Sequence, residues 1–366
     1  MEVLVVNEYL EPLTIIDTFK SLIWADRFFE LGDFELYSTF DSSILNSMPK
    51  GSYVWFSNSE RLMIVESYAI ITDLEEGPHM VIKGYSIESL LNRRIIWNRT
   101  ILNGNFQIAV KKLLDENAIN PLDSVRAIPN LIFQSSLDPV ITSLSIDTQL
   151  TGENLYETIK SMCSERNIGF KITPNENGKL VFSLYAGVNR AYSQDINPYV
   201  IFAPEFDNLI NSDYEEDDSP LKTVALIGGE GEGLDRKYVS IGTASGLNRR
   251  ELFVDARDIS SKAETTGGAP LTIAQYNAQL IQRGIEKLSE NSSVIKAEAE
   301  ADTTRNFVYG VDFFIGDIVQ LANEFGMELE ARVTEVIFAQ DETKETTIPT
   351  FTLVSQSMSR SNYTPI

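Results

Sequence analysis

The chain has 366 residues, 43% of them hydrophobic, and carries 53 acidic against 30 basic side chains for a formal net charge of −23. That length supports several domains with real cores, while the acidic excess disfavours binding to DNA phosphates or to an anionic membrane surface. No apolar run approaches the ~18 residues of a membrane helix, and one cysteine (Cys163) with one histidine (His79) excludes a disulfide framework and a Cys/His zinc site within one chain.

The start, Met1-Glu-Val-Leu-Val-Val6, lacks the basic segment of a signal peptide and reads as a first strand. Residues 1–98 read as a β domain. Gly32-Asp33 turns the chain into a strand with Phe34 and Leu36 on one face. Two strand-like runs, 62–72 and 80–85, flank Gly77-Pro78, which places His79 at a turn tip where a histidine is expected to be solvated. A Ser-His-Asp triad would have to use His79, and no Gly-x-Ser-x-Gly elbow accompanies it. Ser86 is a candidate cap for a short helix over 87–93. Arg93-Arg94 in its last turn suits the helix dipole, with anion binding as the alternative.

Residues 99–188 read as an α+β insertion. Apolar positions 106, 109, 110, 113 and 114 mark one helix, and Leu155, Ile159, Met162 and Cys163 another, so that Cys163 is expected as a core thiol. Asn175-Glu-Asn-Gly178 between two strand-like runs predicts a hairpin. Residues 189–220 read as a linker. Its Asp213-Tyr-Glu-Glu-Asp-Asp218 is expected to be a solvated loop, lacks calcium-loop spacing, and leaves open whether it holds a cation.

Residues 221–366 read as a second β domain with one long helix. Val224-Ala-Leu-Ile-Gly-Gly-Glu-Gly-Glu-Gly233 is a tempting phosphate loop. It lacks the following Gly-Lys-Ser/Thr and carries two glutamates, so it reads as a hairpin tip or interface loop. Thr272-x-x-Gln275 is a capping box opening a helix over 271–291, with Ile273, Leu280, Ile281, Ile285 and Leu288 expected on its buried face. Val294–Ala301 alternates as a strand, and Phe307–Val319 is expected as strand, Gly316-Asp317 turn, strand. Strands over 329–338 and 351–354 follow, and the polar segment 355–366 is expected to be mobile or docked on a partner. The Gly-Asp turns at 32–33 and 316–317 suggest two related barrels, one at each end.

The order of several motifs resembles the siphophage baseplate hub, or tail-tip, proteins. They are Trp24-x-x-Arg27-Phe-Phe with Gly32-Asp-Phe-Glu-Leu36; Gly84-Tyr-Ser-Ile-Glu-Ser-Leu-Leu-Asn-Arg-Arg94; Ile227-Gly-Gly-Glu-Gly-Glu-Gly233 with Gly246-Leu-Asn-Arg-Arg-Glu-Leu-Phe-Val-Asp-Ala-Arg257; and Tyr309-Gly-Val-Asp-Phe-Phe-Ile-Gly-Asp317. The resemblance implies a mainly β fold with an α+β insertion: two tube-type β-barrel domains plus smaller α/β domains. It implies a virion protein assembled in the host cytoplasm as a homotrimer that continues the tail tube. The tail tube and distal tail proteins would lie on one side and fibre or tip proteins on the other, with DNA passing through a lumen. It brings no catalytic, cofactor-binding or metal residues, and no enzymatic activity, since no appended catalytic domain follows the last strand. Arg249, Arg250 and Arg257 match family positions, and inter-subunit or intramolecular ion pairs are both open to them. Two other classes compete: a cell-wall glycan hydrolase with paired carboxylates ~5–9.5 Å apart, and a host-carbohydrate-binding module with Trp55 or Trp97 as a stacking platform.

Overall fold

The computed structural model describes residues 2–7, 9–74, 77–262, 271–301, 306–322 and 328–354. Its dominant element is a 13-stranded sheet. Eight strands form an unbroken antiparallel run in the order Leu209–Asp217, Val294–Ala301, Glu345–Leu353, Glu328–Gln340, Ser21–Arg27, Asp33–Thr39, Gly77–Ser86, Leu62–Asp73. Tyr53–Phe56, Val3–Val6 and Pro12–Ile16 continue from the first half of Leu62–Asp73. Ile318–Ala322 and Ile201–Phe202 branch from Glu328–Gln340.

The seam is the pairing of Glu335–Gln340 with Leu22–Arg27, so strands from the two ends of the chain share one sheet. Among the described residues no pairing closes this sheet into a barrel. The alternation that marks its strands in sequence is the alternation of burial. Leu22 and Trp24, Phe34 and Leu36, Met80 and Ile82, Val336 and Phe338 all enter one core. Trp24 packs on Phe34 at 5.7 Å and on Phe56 at 5.8 Å, and Phe56 meets Phe338 at 5.2 Å. Each buried Phe or Leu contributes roughly 1.5–3 kcal/mol, so this aromatic stack locks the seam.

The insertion forms a second core. Helices Phe106–Leu114 and Leu155–Ser164, capped by Asn105 and Asn154, pack on Gly169–Pro174, Leu180–Tyr185 and Leu131–Gln134. Cys163 is buried there, as its helical spacing predicted. Asn175 through Gly178 makes the expected hairpin turn. A third, smaller core joins Val224–Gly228, Tyr238–Ile241 and Glu251–Asp255 to the helix Ile273–Ser289, which begins with the predicted Thr272–Gln275 capping box.

Several expectations are corrected. The acidic stretch is an edge strand through Asp217, because pairing with Val294–Ala301 satisfies its backbone. Phe307–Ile315 is a turn-rich segment, in which Asp312 accepts from the Val308 backbone at 2.7 Å. Only Ile318–Ala322 is a strand there. Phe313 still reaches the core, with Phe307 and Tyr309 packed against it, while Val311 is exposed, so the alternation reported burial in part and not extended pairing. Ser86 ends a strand and accepts from Gly32 N at 3.0 Å; the short helix is Ser89–Asn92. His79 lies in the strand Gly77–Ser86, buried beside Tyr37 at 5.3 Å between ring centroids. On the long helix, Tyr276 and Leu280 face the small core while Ile273 is 80% exposed and Ile281 and Ile285 lie outward. The sheet contacts only one stripe of a helix whose apolar positions span two. The segments 263–270 and 355–366 lie outside the described residues.

Candidate functional site: a buried ionic junction

The densest polar chemistry lies where the sheet, the insertion and the segment after Phe307 meet. Trp24 and Asp26 both point inward from Ser21–Arg27. Asp26 accepts from Trp24 Nε1 at 3.1 Å and from Ser59 Oγ at 2.6 Å. Arg61 places one guanidinium nitrogen 3.2 Å from Glu88 Oε1; the other donates to the Arg27 carbonyl at 2.7 Å and to Tyr185 Oη at 3.2 Å. Glu88 Oε1 also accepts from the Ile172 backbone at 2.8 Å. One arginine therefore ties the N-terminal strands to the insertion.

The electrostatics follow from burial. Desolvation raises the Asp26 pKa above its ordinary value, with the Arg61 charge pulling the other way. Desolvation likewise opposes the Arg61 charge, but Glu88, Tyr185 and Asp26 more than offset it, so Arg61 is held ionised. The Tyr185 hydroxyl, pushed up to about 12 by burial, stays neutral and accepts from Arg61.

Phe28 is the wedge of this junction. It meets Tyr185 edge-on at 5.1 Å, and the Arg332 guanidinium lies 4.9 Å from its ring centroid. Two glycines flank the ring. A Cβ on Gly169, from the insertion, would stand 2.4 Å from it, and one on Gly316 would stand 2.6 Å from it. Only residues without side chains allow the three modules to close on the same ring.

A second layer of ion pairs surrounds the wedge. Arg27 pairs with Asp33 and, at 2.6 Å, with Glu335 across the seam. Arg332 donates to the Ala186 and Gly316 carbonyls at 2.6 and 2.5 Å. Asp317 pairs with Arg190 at 2.8 Å and accepts from Val188 N at 2.7 Å. Each Gly-Asp turn thus supplies a carboxylate to an arginine. A cleft of about 1060 Å³ opens beside the junction, lined by Trp55, Glu60, Lys171, Tyr185, Tyr309 and Phe314. The arrangement holds modules in register, although Arg332 faces carbonyls and Glu88 Oε2 is buried without a hydrogen-bond partner.

The motifs that meet here are spread over the whole chain, and the model of one family, described as Siphovirus ReqiPepy6 Gp37-like protein, matches residues 2–351. The chain belongs to that family. No curated protein matches it. Among solved structures it is similar to the tail protein from Neisseria meningitidis MC58, at 14% identity and TM-score 0.57, covering 96% of each chain. It is similar also to the 43 kDa tail protein of prophage MuSo2 from Shewanella oneidensis, at 14% identity and TM-score 0.56, covering 97% of this chain and 98% of that one. Prophage tail protein gp18 from Listeria monocytogenes EGD-e follows at 12% identity and TM-score 0.53, covering 96% and 94%. At these identities the likeness is one of fold. The Gp37-like chain shares the fold of phage tail proteins over nearly its whole length.

The other candidate residues read from sequence do not converge on one another. Arg249 pairs with Glu251 at 2.6 Å and Arg257 with Asp255 at 2.6 Å, both within the small sheet, and Arg250 donates to the Asp218 carbonyl. Arg93 pairs with Glu66 at 2.5 Å, and Arg94 donates to the Arg126 carbonyl at 2.6 Å. In the glycine-rich loop, Glu230 accepts from Ser261 N at 3.0 Å and the next strand is Tyr238–Ile241, the hairpin reading. Trp55 donates to the Ser59 carbonyl at 2.7 Å, and Trp97 lies under Arg126 at 5.0 Å. Burial pushes the Cys163 thiol up, which makes it inert.

Arg61, Asp26 and Arg332 were not singled out, and Glu88 entered only as one position of the Gly84–Arg94 motif, with no role attached. The available signal was charge at inward-facing strand positions, as at Asp26 between Trp24 and Phe28, and it had no visible partner in sequence.

Proposed function

We propose that this chain is a structural subunit of a phage tail baseplate hub, acting by assembly and not by turnover. Three copies form a ring that continues the tail tube. The N-terminal and C-terminal halves of the large sheet serve as the two tube-type barrel domains, completed in the ring. The ring joins tail tube and distal tail proteins above to fibre or tip proteins below, and is assembled in the host cytoplasm. Its acidic character lets DNA pass without being trapped.

The observation that supports this most is the eight-strand antiparallel run with, among the described residues, an open edge at each end. One edge is Leu209–Asp217. The other is the outer half of Leu62–Asp73, from Ser67 onward, where Tyr53–Phe56 no longer covers it. The residues on that second edge are uncharged over 67–72, and Tyr68, Ile70 and Ile71 are 45%, 48% and 46% exposed. An uncharged, apolar free edge is a template for pairing. Edges facing opposite ways on one sheet pair head to tail, and such an interface closes into a ring when the rotation closes.

Light scattering of the purified protein tests this, with the same peak imaged by electron microscopy. A mass near three times 41.0 kDa and an open-centred ring are expected. A protein that stays monomeric and is missing from assembled tails overturns the reading. Release of fragments from peptidoglycan, or binding to a glycan array, would move the assignment to a hydrolase or a sugar-binding module.

A further inference from the structure

The helix Ile273–Ser289 docks on the insertion through charged and polar groups. Gln282 Nε2 donates to Glu165 Oε1 at 3.3 Å and to Glu286 Oε1 at 3.2 Å, so two carboxylates from different modules accept from one amide nitrogen. The Glu286 residue is buried, and the Glu165 side chain is only 6% exposed. A cleft of about 480 Å³ runs beside them between this helix and Leu155–Ser164.

The surrounding cations neutralise only part of the pair. Arg166 pairs with Glu165 at 2.8 Å. Arg283 lies 3.7 Å from Glu286, but it is closer to Asp258 at 3.0 Å and also faces Glu153 at 4.0 Å. Lys287 is taken by Glu290 at 2.7 Å. Glu157 and Lys160 complete the charged lining of the cleft. Two carboxylates this near, in a site where acids outnumber cations, do not both ionise freely.

We propose that Glu286 carries a proton beside Glu165, and that the two carboxyls, joined through Gln282, form a pH-sensitive latch that docks the long helix, with its small sheet, onto the insertion. Burial, and then the neighbouring Glu165, push the Glu286 carboxyl up to about 7, and burial raises Glu165 as well. The sign follows. A carboxyl whose docked value lies above its free value favours docking fully below the free value, 4.5, and that support is lost as pH rises through about 7. The docking equilibrium weakens by up to ~tenfold per pH unit over that window.

Hydrogen exchange on the full-length protein tests this. Amides of residues 273–289 are followed from about pH 5 to about pH 8, corrected for intrinsic exchange and referenced to helix 106–114. Protection over 273–289 is expected to fall at least ~tenfold across the range in the wild type, beyond any change in the reference helix. Glu286→Gln keeps a neutral side chain of the same shape and is expected to flatten the profile; Glu165→Gln does the same from the other module. Loss of the slope in either variant supports the latch. A slope that persists in both, or that is absent from the wild type, overturns it.

Discussion

Arg61 and Glu88 meet at 3.2 Å with side chains only 3% and 1% exposed, and each binds a different part of the molecule. Arg61 holds the carbonyl of Arg27 at the end of a sheet strand, while Glu88 holds the backbone of Ile172 in the insertion. A buried pair of this kind is not stabilising by default, because desolvation offsets most of the attraction. Its effect is to allow one register: any sliding of the insertion leaves a buried charge without its partner.

Arg61→Met leaves Asp26 and Glu88 buried without their cation and is expected to destabilise the chain by ~3–5 kcal/mol in urea denaturation. The double variant Arg61→Met/Glu88→Leu should recover a good part of that loss. If the double variant is no more stable than the single one, the loss in Arg61→Met comes from packing and not from charge.

Asp26 gives a pH dependence with a definite sign. Its carboxyl is raised above the ordinary 3.8, so it supports the fold fully below that value and progressively less as pH rises through the raised one. Asp26→Asn keeps an acceptor for Trp24 and Ser59 without the charge. Urea midpoints measured from about pH 4 to about pH 7 should therefore shift in favour of the variant as pH increases.

Phe28→Ala empties the space between Gly169 and Gly316 and is expected to lower stability by ~3–5 kcal/mol. Gly316→Ala acts from the opposite side. Its φ of +95° and the 2.6 Å approach to the Phe28 ring predict a loss of ~1–3 kcal/mol. Thermal unfolding of both variants measures the wedge, and wild-type melting of Gly316→Ala would show that the ring has room to move.

Charging the free edge should separate folding from assembly. Ile70→Lys with Ile71→Lys places two cations on an exposed strand, as natural edges often do. The expected product has wild-type stability and the 41.0 kDa mass of a single chain. A trimer that survives both substitutions removes the outer half of Leu62–Asp73 from the interface.

Cys163 is buried in the insertion with its thiol pushed up by desolvation. A thiol reagent should label the native protein only as fast as the insertion opens, and the rate should rise with denaturant in step with unfolding. Prompt native labelling would contradict the burial.

Much of the architecture was legible locally. The Thr272–Gln275 box starts its helix, Asn175 through Gly178 turns its hairpin, and Leu22, Trp24, Phe34 and Leu36 alternate into the core. These features depend on neighbours within a few residues, where side-chain spacing and backbone stereochemistry leave few options. The junction was legible in its parts. Arg27, Phe28, Asp33, Gly316 and Asp317 all belong to motifs that mark the family resemblance, but the motifs did not say that they meet.

The sequence by itself determined a mainly β chain with a single cysteine, which allows no internal disulfide, and a strongly acidic net charge. Tertiary structure decided which charges pair and which strands become edges. Arg27 and Glu335 are partners across 308 positions of chain, and the acidic 213–217 stretch extends because Val294–Ala301 lies alongside it. His79 is buried because Tyr37 and the sheet close over it. Local periodicity records which face of a segment avoids water. Which surface covers that face, and which counter-charge waits there, depends on contacts between distant residues, and those exist only once the chain has folded.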